Sequence, residues 1–414
     1  MVKSYKFIIF SLFVLLFGLV AQGCKKSDDA IDAGGSEPVL ERGDSAARTV
    51  LVYMMAENSL ARDGFEVDDL NEMKKGVFSL PDNCYLLAFV DGLDDPYICR
   101  FYEGKTGEAV CDTVLKFEED FYSTDSVRFN EVLSWVLNYY PSKNFGLVMW
   151  SHGSGWLYDK IRNRSIGVDS GKNLAVDNLS SSKWMEVEEL AAVLKELPVK
   201  TDFVLFDACF MQCVEVAYAM RESAEWLIGS PAEIPGNGAP YNKIISSMFS
   251  FPFDPEGLIE QYKAGYYDND GVVLSAVKCS AVENLAEVSA AFIPACFERN
   301  SQVDDSGTFS YLRNGYFSTS VQYPDFCDMN GQMLLRLSDE AYILWKEALD
   351  AAVPFKVASH KWYSYYKGFQ TVDSLQYGGI SMYVPRNNSK YSTFNEDFRR
   401  TEWYVATGWE SAGW

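Results

Sequence analysis

Two side chains in this sequence have the types and surroundings of a nucleophile and a base. Cys209 lies in Leu205-Phe206-Asp207-Ala208-Cys209-Phe210-Met211, just after an apolar run and at the head of a segment, 210–222, with helical character. A cysteine at a helix N-terminus feels the positive end of the macrodipole, which lowers its pKa and favours the thiolate. His152, one of two histidines in the chain, stands in Ser151-His152-Gly153-Ser154-Gly155-Trp156, at the end of another apolar run. A thiolate and an imidazole together suit covalent acyl transfer. The sulfur attacks a carbonyl, and the imidazole protonates the leaving amine and then activates water. Backbone N–H groups that hold the oxyanion add about 3–4 kcal/mol each. Asp207 precedes Cys209 by two residues, so in extended geometry both point to one side. That places a carboxylate where it could floor a pocket for a cationic side chain; a helix-capping aspartate is the alternative. Glu233 and Gly236 follow a short apolar run and would shape the cleft, or else belong to an ordinary Pro/Gly loop. The second histidine, His360, sits in ASHKWYSYYKGF with no catalytic pattern around it and reads as a structural or surface residue. Trp345, Trp362 and Trp403 read as core.

The elements that must position these groups are short apolar strands alternating with helices. Runs at 48–55, 84–90, 145–150, 202–206 and 226–230 are continuous and apolar, the pattern of strands buried on both faces. A hairpin is expected from 99–102 and 109–113, and helices at 60–75, 129–140, 185–197 and 210–222. Such alternation predicts an α/β fold with a mostly parallel sheet covered by helices on both sides. In these sheets function collects at the carboxyl ends of the strands, where both His152 and Cys209 fall. Residues 154–182 read as a long loop. Beyond residue 250 the expectation is helices at 282–297 and 334–353 and one late strand, 379–384, in a C-terminal α/β extension. That part either completes the first domain, 48–250, or forms a smaller one, 251–414.

The chain has 414 residues, 48% of them hydrophobic and 15% aromatic, ample for a sizeable core. A formal charge of −22 repels phosphate backbones and argues against nucleic-acid partners. Lys3 and Lys6 followed by an apolar stretch, 7–20, read as a signal peptide, too short to span a bilayer that needs about 20 residues. Cys24 directly after the small Gly23, with Ala21 fitting the pattern and Gln22 a looser match, resembles a bacterial lipoprotein processing site. Residues 1–23 would then be removed, Cys24 would carry the lipid anchor, and 24–47 would be a flexible tether to an outer membrane or cell surface. Ordinary secretion with an incidental cysteine is the alternative. The other seven cysteines show no CxxC or zinc-type spacing and read as small buried hydrophobes, with no disulfide framework.

His152 precedes Cys209 by 57 residues, close to the spacing of roughly 50 residues in the caspase signature. Together with LVYMMAENSL, MWSHGSGW, LFDACFMQCVEVA, GSPAEIPGNGAPY and GGISMYVP, this order resembles the clostripain family of cysteine peptidases, relatives of caspases, legumains and gingipains. The resemblance spans nearly all of 48–414. It implies a caspase-like sheet and cleavage of protein or peptide substrates after Arg or Lys at P1. His152 and Cys209 would be the catalytic pair, Gly153 and Cys209 the oxyanion donors, and Asp207 the P1 selector. Calcium is a possible cofactor by the same resemblance, although nothing in the sequence requires one and no metal ligands are identifiable. Self-cleavage is possible at Lys160, Arg162, Arg164, Lys172 or Lys183. A non-enzymatic surface lipoprotein of the same fold, binding peptide or glycan, is the rival reading, and oligomeric state is not legible.

Overall fold

The computed structural model describes residues 42–158, 166–169, 183–266, 271–301, 303–313, 323–364 and 367–414. Cys24, the leader, and Lys160, Arg162, Arg164 and Lys172 lie outside these residues. The chain is built on a nine-stranded sheet: β1 (Ala46–Met55), β2 (Cys84–Asp91), β3 (Tyr97–Glu103), β4 (Ala109–Lys116), β5 (Ser142–Trp150), β6 (Lys200–Asp207), β7 (Trp226–Gly229), β8 (Val273–Lys278) and β9 (Phe355–Ala358). Their spatial order is β9-β8-β7-β6-β5-β1-β2-β3-β4. The five central strands are parallel, and antiparallel pairs flank them on both sides.

Alternation along β1 shows how the sheet is covered. Leu51, Tyr53 and Met55 join one apolar cluster, while Val50, Val52 and Met54 join another on the opposite face. A strand buried on both sides must be apolar at successive positions, which is why the central strands read as continuous runs. One face carries α1 (Ser59–Arg62), α2 (Phe65–Gly76), α6 (Tyr241–Met248) and α7 (Pro255–Ala264). The other carries α3 (Ser126–Tyr139), α4 (Val187–Lys195), α5 (Val214–Ala219) and α8 (Cys279–Ala290).

Several expectations are corrected. The helix expected at 60–75 is two helices, because Gly64 adopts φ 85° between α1 and α2. The helix expected at 282–297 is α8 plus the short helix Ile293–Cys296, and that at 334–353 is Met329–Arg336 plus Asp339–Ala352, parted by the N-cap Ser338. Within the region read as a long loop, Ile166–Asp169 pairs with Lys183–Met185. The late strand shrinks to Ser381–Met382, in a small sheet with Phe326–Asp328 and Ser310–Leu312. Residues beyond 250 also supply β8 and β9 to the main sheet, strands absent from the sequence reading. Cys111 is exposed on β4, unlike the buried cysteines Cys84, Cys99, Cys213, Cys279 and Cys327. Trp345, Trp362 and Trp403 are buried as expected, and His360 is exposed.

At the amino end of the sheet, buried Arg48 ties three elements together. Its Nε and Nη2 donate to Asp202 Oδ2 at 3.0 and 2.6 Å, and its Nη1 donates to the carbonyls of Met248 and Ser250 at 2.8 and 2.9 Å. Removing one partner of a buried pair strands the other charge. Arg48→Leu is therefore expected to cost about 3–5 kcal/mol in denaturant unfolding. Arg48→Leu/Asp202→Leu should recover part of that loss, the remainder being the two carbonyls left without their donor.

Candidate active site

The cleft lies where β1, β5, β6 and β7 end, and each end is tied to the next by backbone. Ser151, just past β5, donates from Oγ to the Met55 carbonyl at 2.7 Å and from its N–H to the Asp207 carbonyl at 3.4 Å. Asn58 donates to the same Met55 carbonyl at 2.8 Å and to Ser151 Oγ at 3.3 Å, while its Oδ1 caps α1 by accepting from the Leu60 N–H at 2.9 Å. The next residue, Ser59, places its Oγ 2.9 Å from Nε2 of His152. The imidazole is thus oriented by a hydroxyl from α1, with β1 and β5 locked behind it.

The segment after β6 does not form the expected helix at Cys209. Phe210 N–H donates to the Ala232 carbonyl at 2.9 Å, and Gln212 N–H to the Ser230 carbonyl at 3.0 Å. These donors are committed to the loop after β7, so α5 starts only at Val214, with Cys213 as its N-cap. Phe210 is held at φ 62°, the only non-glycine residue with positive φ among those described. Such a conformation is costly for a bulky side chain and persists where surrounding contacts impose it. Here the Phe210 ring stacks on Phe326 at 4.6 Å, and Gln212 Nε2 donates to Ser275 O and Oγ at 3.0 Å.

The dipole argument for a ready thiolate therefore fails with the helix. Burial pushes the Cys209 thiol up to about 12, and Glu233 and Asp207 push the same way. Only the Ile234 N–H, 3.4 Å from Sγ, acts against them. These surroundings favour the thiol over the thiolate.

Gly153 joins the two tips. A Cβ at Gly153 would stand 2.5 Å from the Cys209 carbonyl oxygen and 2.9 Å from the Ala208 Cβ, so only glycine permits this approach. As a result His152 and Cys209 line one cavity of about 280 Å³, together with Trp150, Asp207, Glu233 and Gly236. Every cleft residue named from the sequence is gathered there or abuts it. The capping alternative for Asp207 is excluded. Its buried Oδ2 accepts from Ala239 N–H at 3.0 Å and Tyr241 O–H at 2.9 Å, and its Oδ1 from Tyr262 O–H at 3.2 Å. Gly236 packs on the Phe65 ring, where a Cβ would meet it at 2.7 Å.

Four residues of this region escaped the sequence reading. Ser59 carries no distinguishing signal. Gly238, at φ 54°, lets backbone pass so close to Asp207 that a Cβ would stand 2.8 Å from its Oδ2. Tyr363, from the segment Trp362–Ser364, walls the cavity. Asp69 of α2 accepts from the Trp150 indole N–H at 2.6 Å. It lies on the buried stripe Glu66, Asp69, Met73 and Gly76, a spacing that reads directly from the sequence.

Three more carboxylates, Glu57, Asp91 and Asp120, place one oxygen each within 4.8 Å of one another beside the β1 and β2 tips. Hard oxygen donors of this kind suit calcium.

Comparison with known proteins agrees with the architecture. The clostripain family profile matches residues 52–414. Clostripain of Hathewaya histolytica is 27% identical over 229 residues, covering 48% of this chain but only 42% of its own length. A secreted C11 cysteine protease of Bacteroides thetaiotaomicron, solved with an irreversible peptide inhibitor, is 29% identical, with a TM-score of 0.75 over 88% of this chain and 100% of its own. An inactive zymogen C11 protease of Parabacteroides distasonis is 28% identical, with a TM-score of 0.72 over 88% and 99%. The caspase-like sheet expected from the sequence is shared with these structures, and the chain belongs to the clostripain family of cysteine peptidases.

Proposed function

We propose that the chain is a cysteine endopeptidase that cleaves after Arg or Lys, with Cys209 as nucleophile and His152 as base. The observation that carries this reading is the single cavity that both side chains line together with Asp207. A basic P1 side chain would enter beside Trp150 and bring its charge to Asp207. That charge offsets part of the negative field on the Cys209 thiol, so binding itself makes the sulfur easier to ionise. Ser59 holds the imidazole through Nε2, and that imidazole is the proton carrier. The sulfur attacks the scissile carbonyl as its proton passes to the imidazole. His152 then returns that proton to the leaving amine, and water deprotonated by His152 hydrolyses the thioester. Backbone N–H groups of Gly153 and Cys209 are the oxyanion donors. Glu233 and Gly236 shape the cleft mouth. Glu57, Asp91 and Asp120 are the residues that would hold a calcium ion, whose charge would relieve their mutual repulsion beside Asn58 and Ser59.

The enzyme is proposed to be exported and anchored through lipid on Cys24. Similar C11 proteases are described as secreted, and among the described residues no helix is long and apolar enough to cross a membrane.

Four outcomes follow. In a fluorogenic panel with Arg, Lys, Asn, Asp and Leu at P1, only Arg and Lys should be cut, and Cys209→Ala should abolish turnover. Asp207→Ala should lower kcat/KM for basic P1 by ~10²-fold, the scale of losing a buried charge partner; an unchanged preference would refute Asp207 as selector. Ser59→Ala should lower kcat roughly fivefold, about 1 kcal/mol for one hydrogen bond, and displace the pH profile, with Ser59→Thr restoring both. Finally, detergent-phase partitioning of the full chain should vanish in Cys24→Ser; if it persists, lipid at that residue is not the anchor.

A further inference from the structure

At the rim of the cavity the chain exposes two aromatic rings. Trp362–Ser364 and Gly368–Gln370 form an antiparallel ribbon in which Tyr363 lies opposite Phe369. Side chains alternate along a strand, and here the alternation sorts them by environment. Trp362 and Ser364 are buried, whereas Tyr363 is 44% exposed and Phe369 57%. The two rings meet edge to face, with centroids 5.4 Å apart. The inward side fixes the ribbon. Trp362 packs in one apolar cluster with Phe210, Ala232 and Phe326, against which Cys209 also packs. Trp362 also pairs, as an isolated parallel bridge, with Gly271 just ahead of β8, and the Ser359 N–H donates to the Val272 carbonyl at 2.9 Å. The outward pair therefore stands at a set position relative to the nucleophile turn. Tyr363 reaches the cavity itself, which it lines with Ile234 and Pro235 of the loop after β7.

The strand order gives this pair a side. The ribbon is fastened beside β8 and β9, beyond β7, whereas His152 and α1 lie on the β5 and β1 side of Cys209. The leaving amine must reach the imidazole that protonates it, so the C-terminal half of a bound peptide runs toward β5 and β1. The acyl half, held on Cys209, runs toward β7 and the ribbon. Neighbouring side chains of an extended peptide point opposite ways. When P1 enters the cavity, P2 turns to the rim where the rings stand. Resting on the basic-P1 reading, we infer that Tyr363 and Phe369 form the P2 subsite, and that the substrates carry a bulky apolar residue, aromatic or branched aliphatic, directly before the basic one. Such a side chain laid against the rings takes apolar surface of both partners out of water. An acidic P2 would instead add a carboxylate to a cavity already lined by Asp207 and Glu233.

The test is a fluorogenic series with Arg at P1 and Phe, Leu, Gly or Asp at P2, cut by the full-length protein. Ratios of kcat/KM are compared within each protein, so a general loss of activity cancels. The parent should prefer Phe and Leu over Gly by roughly tenfold or more, with Asp no better than Gly. Tyr363→Ala should bring the Phe/Gly ratio down to about twofold, and Tyr363→Phe, which keeps the ring, should restore it. Phe369→Ala, at an exposed position, should lower the ratio several-fold, and it carries the test should Tyr363→Ala not fold. A Phe/Gly ratio near unity in a parent that does prefer Arg and Lys overturns the subsite and leaves the P1 reading standing. A ratio that neither alanine variant moves does the same. With Phe held at P2, a parent that cuts after Leu as readily as after Arg refutes the P1 reading itself, and the subsite defined from that P1 goes with it.

Discussion

Gly153 has no side chain, and the carbonyl of Cys209 fills the space where one would be. This backbone-on-backbone contact is the constraint from which the rest of the cleft follows. Parallel strands lie about 4.8 Å apart, so β5 and β6 start as neighbours, but a β-carbon between their tips would hold the imidazole and the sulfur apart. With the gap closed, Ser151 can bond to both β1 and β6, and Asn58 and Ser59 can reach across from α1 to hold the histidine. The site is assembled chiefly from loop geometry. Its side chains are ordinary residues held at a short separation.

Electrostatics set the second constraint. The cleft floor is built from acids whose burial is stabilised by neutral donors: one backbone N–H, two tyrosine hydroxyls and an indole. Such donors can satisfy lone pairs without cancelling charge. The result is a pocket that is well bonded yet short of positive charge, beside a thiol that burial and the same acids push upward. A cationic side chain thus addresses recognition and activation through a single field.

Much of the scaffold was legible in the sequence because doubly buried parallel strands have to be apolar throughout. Runs such as FGLVMW and DFVLF, short and continuously apolar, read as interior strands, and the residues after them as the tips. His152, Cys209 and Asp207 were found for that reason. The local path at the nucleophile was not legible. Phe210-Met211-Gln212 is as compatible with a helix as with a turn, and what decides between them is remote, namely the Ala232 and Ser230 carbonyls that claim the two N–H groups. Strands β8 and β9 were missed because the segment after residue 250 is dominated by helical spacing, and the short strands pair only through the tertiary fold. Asp69 was within reach, since its spacing from Met73 and Gly76 puts it on the buried face of α2. Ser59 was not, because a lone serine near a helix start carries no mark of its partner.

The turn that presents Cys209 is also braced from far along the chain. Gln212 accepts from the Ser381 N–H at 3.1 Å, Glu215 accepts from the Tyr383 N–H at 2.7 Å, and Ser275, which holds the Gln212 amide, donates to the Gly379 carbonyl at 2.5 Å. Until residues 379–383 are in place all three props are missing, while the Phe210 backbone must still be held in an unfavourable conformation. Completion of the cleft therefore waits on residues 379–383. The nucleophile turn of this peptidase is finished only once a segment 168 residues further on has folded against it.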